Sequence, residues 1–354
     1  MAHPARWWRH TPDGRVRCEL CPRTCTLREG QRGFCFVRRN EGGHLVLETY
    51  GRSTGFAVDP IEKKPLNHVL PGARVLSFGT AGCNLGCRFC QNWEMSTSRR
   101  IDSLSAAASP TQIAALARRE RCAAVAFTYN DPVIFAEYAI DTAHACRAAG
   151  IAPIAVSAGY ISAPARAEFF APMAAANIDL KAFTDEFYRK VTGARLEVVL
   201  DTLVHVQASE TWLEITTLLI SGVNDSSEEI RAMSRWIVAN LGPDVPHHFS
   251  AFHPDHRMRD RPPTPPHTLT RAREIALECG QRYVYTGNVV DPDGQATICP
   301  SCQSVVIERD RYHVGARNLT RTENGAACGR CGQTIPGLFF PTHRPPDARG
   351  VRLE

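Results

Sequence analysis

From residue 74 to about residue 290 the chain repeats one alternation, a short β-branched run followed by a capped helical pattern. "RVLSFGT" (74–80) precedes "SPTQIAALARRE", where Ser109 can cap and Pro110 suits the first helical turn. "AAVAFTYN" (123–130) leads into a helix from a cap at Asn130 or Asp131 to Gly150, and "APIAVSA" into a short helix after Ser162. "NIDLKAF", "WLEITTLLI" (212–220) and "PHHFSAF" (246–252) read as strands. Between the last two lies a helix with Asp225 or Ser226 as cap and Gly242 after it. A Pro-rich loop then precedes a helix capped by Thr264, and "RYVYTGNV" adds one more strand. Six strand–helix units imply a parallel sheet, because parallel neighbours need a crossover that a helix usually supplies. Periodicity alone does not choose between an open doubly wound sheet and a full or partial barrel.

With 354 residues, 44% of them hydrophobic, the chain can bury a large core. The net charge of +5 comes from scattered Arg rather than one basic block, which argues against nucleic acid as a partner. No window approaches the roughly 18 apolar residues of a membrane span, and "MAHPARWWRH" lacks the apolar core of a signal peptide, so a cytoplasmic location is expected. Eleven of the 14 cysteines fall into three tight clusters, the pattern of metal binding in a reducing compartment. Cys122, Cys146 and Cys279 stand alone in apolar runs and read as small buried hydrophobes.

The clusters divide the chain: an amino-terminal Cys-rich module (1–70), an alternating body (71–290), a Cys-bearing module (291–345) and a polar tail (346–354). "CPSC" and "CGRC" supply Cys299, Cys302, Cys328 and Cys331 around a strand-like run, the pattern of a zinc-ribbon-like module with structural zinc; rubredoxin-like iron is the minority alternative. Cys18, Cys21, Cys25 and Cys35 again offer four thiolates, for zinc or an auxiliary iron–sulfur cluster. "TAGCNLGCRFCQNW" (80–93) holds three, Cys83, Cys87 and Cys90, with no fourth. A zinc knuckle completed by a distant His68 or His253 is one reading. The other is a [4Fe–4S] cube whose fourth iron is left to chelate a small molecule. The other polar clusters, "YND", "SAG", "DLK", "SGVND" and "HPDH", also fall at strand carboxyl ends, where α/β folds assemble their sites.

CxxxCxxC with an aromatic (Phe89) before the last cysteine resembles the signature of the radical S-adenosylmethionine enzymes. "DPIEKKPLNHVLPG" (59–72), "FTYNDP", "LLISGVNDS", "HFSAFHPDHRM" and "YVYTGN" extend the resemblance to the radical enzyme of the AmmeMemoRadiSam system, itself similar to pyruvate formate-lyase activating enzymes. The resemblance implies an α/β partial (β/α)6 barrel. It also implies reductive cleavage of S-adenosylmethionine at the cluster, giving a 5′-deoxyadenosyl radical that takes a hydrogen from a small-molecule or protein substrate. An electron donor such as flavodoxin or ferredoxin goes with that chemistry.

By the same resemblance Asn130 and Asp131 stand where related enzymes bind the cofactor's amino group, with helix capping as the alternative for Asp131. Ser157 is placed for the ribose or carboxylate. Asp179 and Lys181, two apart on a strand, share one face toward the cofactor, or else form a buried ion pair. Lys63 and Lys64 in "EKKP" read either as a solvated charge run or as a substrate or partner loop. No residue is singled out as catalytic. The rival from another class is an idle metal-stabilised scaffold that binds RNA or protein.

Overall fold

A computed structural model describes residues 3–99, 106–322 and 325–340; the polar tail expected at 346–354 lies outside them. All seven expected strands form, in a single parallel ladder: β2 (Arg74–Phe78), β3 (Ala124–Phe127), β4 (Ala152–Ser157), β5 (Ala175–Asp179), β6 (Trp212–Leu219), β7 (His247–Ala251) and β8 (Val284–Gly287). An eighth strand, β1 (Phe56–Pro60), pairs antiparallel with β2. The main sheet therefore begins inside the segment assigned to the amino-terminal module by its cysteines, before the expected boundary at residue 70. Composition marks where cysteines stop and does not mark where a ladder starts.

The sheet order is β8-β7-β6-β5-β4-β3-β2-β1, every spatial neighbour also being the next strand in sequence. An order that never reverses has no topological switch point, which excludes the doubly wound arrangement. The connecting helices are α1 (Pro110–Arg119), α2 (Ala136–Ala148), α3 (Ala163–Phe170), α4 (Leu196–Gln207), α5 (Ser227–Leu241) and α6 (Pro266–Glu278). Each packs on the next in chain order, a single layer over one face of the sheet.

Local chemistry sets the helix starts. Ser109 and Gln112 form a reciprocal capping box on α1, and the Ser226 hydroxyl, not the Asp225 carboxylate, accepts from Glu229 N at 3.1 Å at the start of α5. Thr264 does not cap α6, which begins two residues later behind Pro265. Its hydroxyl instead donates to Leu219 O at 2.6 Å, tying the Pro-rich loop to the end of β6.

The face without helices is closed by the chain itself. Strand alternation turns Val75, Ala124, Ala126, Ile154 and Ala175 toward it, and Ile61, Leu66, Val69 and Leu70, just after β1, pack onto them as a plug. Each large side chain so buried is worth about 1.5–3 kcal/mol. "EKKP" begins this plug, so the solvated reading fails for Lys64. Its side chain is 2% exposed, and its ammonium lies 2.6 Å from Asp59, which also accepts from Lys63 (2.8 Å) and the Tyr129 hydroxyl (2.9 Å). Asp59 points inward because β1 is a sheet strand, which the sequence pattern did not disclose.

Residues 297–322 and 325–335 form two small antiparallel ribbons that clamp the plug from outside. Arg309 donates to Asn67 O at 2.6 Å, and Leu338 exchanges backbone bonds with His68 and Leu70 at 2.7 and 2.9 Å. The amino-terminal module is likewise built of short antiparallel ladders.

Candidate active site

The loop after β2 carries Cys83, Cys87 and Cys90, and it is pinned at five places. Gly86 N and Arg88 N donate to Thr192 O (2.8 Å) and Val191 O (2.9 Å), carbonyls of a π-helical turn over Tyr188–Thr192. Gly82 N donates to Met95 O (3.0 Å), Arg23 reaches Asn84 O (2.5 Å), and the Asn84 amide donates to Tyr160 O (2.8 Å). Asn130, after β3, bonds the same loop with both ends of its amide. Its Oδ1 accepts from Thr80 N (3.1 Å) and its Nδ2 donates to Gly82 O (2.7 Å). Gly79 lies so close beneath that a Cβ there would meet Thr128 O at 2.5 Å and Asn130 Oδ1 at 2.6 Å. These bonds fix the backbone that carries the three sulfurs.

The other residues singled out from the sequence converge on this loop. Asp131 is buried, and its carboxylate accepts from Val133 N (3.1 Å), Ser157 Oγ (2.9 Å) and Ala158 N (3.1 Å). It therefore caps the turn that leads into α2, and three of its roughly four acceptor positions are filled. Burial pushes its pKa up to about 6. Ser157 gives its one proton to Asp131 and accepts from Gly159 N at 3.0 Å, so it orients that carboxylate.

β5 ends at Asp179, and Lys181 lies beyond it rather than two along the same strand; the two side chains still meet, at 2.7 Å. Burial works against the Lys181 charge, but Asp179 and Cys87 outweigh it and hold the ammonium above its ordinary pKa. Its Nζ also sits 5.7 Å from the centre of the Phe89 ring, the aromatic inside the cysteine motif. Burial pushes the Cys87 thiol up to about 12 against the pull of Lys181, and pushes Cys83 up with the Asp131 carboxylate adding to it. A metal reverses that shift by taking the thiolates. The triad is thus flanked by a carboxylate near Cys83 and an ammonium near Cys87.

All three triad cysteines line one cavity of about 630 Å3, within the range of sites for ligands of cofactor size. Neither histidine proposed to complete a zinc knuckle lines it. His68 is buried in the plug with both ring nitrogens engaged, by Pro336 O (2.6 Å) and the Tyr285 hydroxyl (2.7 Å), and His253 is exposed. The tail thiols behave differently from the triad. Cys299, Cys302, Cys328 and Cys331 hold their sulfurs within 4.8 Å of one another, a ready metal group.

Three contributors escaped the sequence reading. Asn224 carries the loops after β5 and β6, donating to Lys181 O (2.8 Å) and Leu218 O (2.9 Å) while accepting from Ile220 N (2.7 Å). Its place in "SGVND" at a strand end was the available signal. Asn84 lay inside the cysteine motif itself. The π-helical turn that receives Gly86 and Arg88 left no signal in composition or period.

Residues 78–235 match the family model described as the radical SAM superfamily. The whole chain is similar to an uncharacterized protein of Methanocaldococcus jannaschii, 38% identical over 332 residues, covering 94% of this chain and 98% of that one. The stretch that carries the cysteine triad is thus similar to the radical SAM superfamily. Among solved structures, Streptococcus suis SuiB bound to its precursor peptide SuiA shares the fold at a TM-score of 0.50 and 13% identity, over 64% of this chain and 51% of that one. A domain of the pyruvate-formate lyase-activating enzyme from Bacteroides vulgatus gives a TM-score of 0.42 at 17% identity, over 47% of this chain and 99% of that one. Likeness to that superfamily implies S-adenosylmethionine, an iron–sulfur cluster and radical chemistry. No described helix is long and apolar enough to cross a membrane.

Proposed function

We propose that the chain is a radical enzyme of the AmmeMemoRadiSam type in which Cys83, Cys87 and Cys90 hold a [4Fe–4S] cluster, with the sheet and its plug forming the partial barrel around it. The observation that carries this reading is the flanking of three half-buried sulfurs by opposite charges, Asp131 near Cys83 and Lys181 near Cys87. When bound, the cluster and S-adenosylmethionine supply reductive cleavage to a 5′-deoxyadenosyl radical for hydrogen abstraction.

The chain's own groups bind and orient. The remaining acceptor position of Asp131 suits an ammonium group, and Lys181 suits a carboxylate. Asn130 and Ser157 act one step back, Asn130 by fixing the cysteine loop and Ser157 by fixing Asp131. Asp179 holds the Lys181 ammonium in place. Phe89, Leu85 and Ala158, all buried, limit water around these charges, and in a water-poor site such contacts strengthen. The substrate is a small molecule or a partner protein, the donor a low-potential electron carrier such as flavodoxin or ferredoxin, and the setting cytoplasmic. In the tail, Cys299, Cys302, Cys328 and Cys331 hold structural zinc in a ribbon-like module.

The deciding experiment is anaerobic reconstitution followed by addition of S-adenosylmethionine to the reduced protein. A changed cluster spectrum and formation of 5′-deoxyadenosine are expected. An unchanged spectrum with no cleavage would favour the idle scaffold.

A further inference from the structure

Cys18, Cys21, Cys25 and Cys35 belong to none of the chemistry derived above. All four line one enclosed cavity in the amino-terminal module, together with Gly33 and Phe34. A tight turn brings three of them round, with Cys18 N donating to Cys25 O (2.9 Å) and Thr24 N to Cys21 O (3.1 Å). The Phe34 amide donates to the Cys25 sulfur at 3.4 Å, so one sulfur already has a backbone donor.

The spacing of the sulfurs separates a single metal ion from a cluster. Four thiolates on one zinc, each about 2.3 Å away at tetrahedral corners, lie about 3.8 Å apart. The tail meets this, with Cys299 to Cys331 at 3.6 Å and Cys302 to Cys328 at 3.7 Å. A single rubredoxin-type iron needs a similar tetrahedron, and a two-iron cluster needs it pairwise, since two thiolates share each iron. A four-iron cube carries one thiolate per corner and spreads them to on the order of 6 Å. Among the described residues the tail tetrad is the group whose ligand atoms close to within 4.8 Å; no three of the amino-terminal sulfurs do, and neither do the three of the triad. The amino-terminal four, like the triad, are therefore not drawn together as a single zinc or iron would hold them, and they offer a complete ligand set for a cluster.

Their position adds a second observation. Cys35 lines the triad's cavity, and a Cβ on Gly82 (φ +86°) would fall 2.1 Å from Cys35 O, so the backbones of the two cysteine segments touch one residue before Cys83. Arg23, from the turn between Cys21 and Cys25, bonds Asn84 O just past Cys83. Zinc at this contact would be redox-silent, whereas a four-iron cluster would place a second one-electron centre directly beside the first.

We propose that Cys18, Cys21, Cys25 and Cys35 ligate an auxiliary, fully thiolate-bound [4Fe–4S] cluster next to the triad. The site stands whether or not the triad cleaves S-adenosylmethionine, and its test reads metal and spectra rather than turnover. In the anaerobically reconstituted full chain, about eight irons are expected, and Mössbauer spectra should show S-adenosylmethionine perturbing one cluster and leaving the other unchanged. The triple variant Cys83→Ala, Cys87→Ala, Cys90→Ala should keep about four irons with a signal indifferent to S-adenosylmethionine. Cys25→Ser should lose iron while the perturbed signal survives, which covers the case in which the triple variant fails to fold. About four irons in the wild type, all perturbed, with two zincs per chain would overturn the assignment. So would a folded triple variant that holds no iron. If the irons are present as expected and S-adenosylmethionine is not cleaved, the proposed function fails and the auxiliary site survives.

Discussion

The tail tetrad, which runs from buried Cys299 to exposed Cys331, and the half-buried β2-loop triad are both cysteine groups, yet they are built in opposite ways. In the tail the sulfurs have closed on one another, the geometry of a metal whose ligands are all protein. At the triad they stay apart, held by hydrogen bonds from the π-helical turn, Met95, Arg23 and Asn130 that belong to the loop's backbone. The tail sulfurs are spaced as one metal ion would hold them, while the triad loop takes its place from bonds to the rest of the fold. A site that must leave one metal position open needs its remaining ligands fixed by something other than full coordination, and the pinned loop supplies that.

The largest expected effect breaks the triad alone. Cys87→Ala should remove that cluster and abolish cleavage of S-adenosylmethionine, while the tail metal stays at full occupancy because the two sites share no ligand. Iron and zinc analysis of the folded variant checks this; retained cleavage would overturn the triad assignment. Next in size is the tail. If its order is that of its metal, Cys328→Ser should cost a large part of a binding free energy on the order of 10 kcal/mol. Limited proteolysis should then cut the tail first and leave the triad loop protected. A tail as resistant as wild type with one thiolate fewer would remove the contrast.

How far these two regions were legible in the sequence follows from the range of the forces that shape them. The tail was readable because CPSC and CGRC are local and their partner is each other. The strands, α1 with Ser109 and α5 with Ser226 were readable for the same reason, since periodicity and capping act within a few residues. Lys64 was not, because its burial depends on Asp59 lying in a sheet strand and on Tyr129 from another loop. Thr264 looked like a cap because the alternative, a bond to Leu219 O 45 residues away, has no local signature. The partnership of Asp131 with Ser157 is of this kind too: each residue was visible, while their bond required β3 and β4 to be neighbours.

A smaller effect sharpens the electrostatic side of the triad. Lys181→Met keeps most of the stem and removes the ammonium, so the cluster should assemble while affinity for S-adenosylmethionine falls roughly tenfold or more, matching about 1.5–3 kcal/mol for a hydrogen bond to a charged group. Titration of the cofactor against the cluster spectrum, at full iron, measures it. Wild-type affinity would leave Lys181 as the partner of Asp179 alone.

The mildest way to separate the two regions is acid, acting through His68. Pro336 O can only accept, so the His68 Nδ1 carries the proton and the Nε2 accepts from Tyr285, leaving no place for a second proton without breaking that bond. Burial holds its pKa down to about 4, with Glu214 pulling upward and Arg309 and His248 pushing further down. In the unfolded chain the same ring titrates near 6.5. Above that value it is neutral in both states and costs nothing; as the pH falls, the unfolded state takes up a proton that the folded state refuses. The loss of stability thus begins near pH 6.5 and levels off near pH 4, reaching about 2 kcal/mol at pH 5. Since His68 joins the plug to residue 336, hydrogen exchange at pH 5 should rise first at residues 66–70 and 335–339, while the loop over residues 80–90 keeps its protection. His68→Gln should flatten that pH dependence. Exchange that rises equally at the cysteine loop would show that plug and site open as one unit, and the contrast between the tail and the site would then hold only at the level of how their sulfurs are spaced.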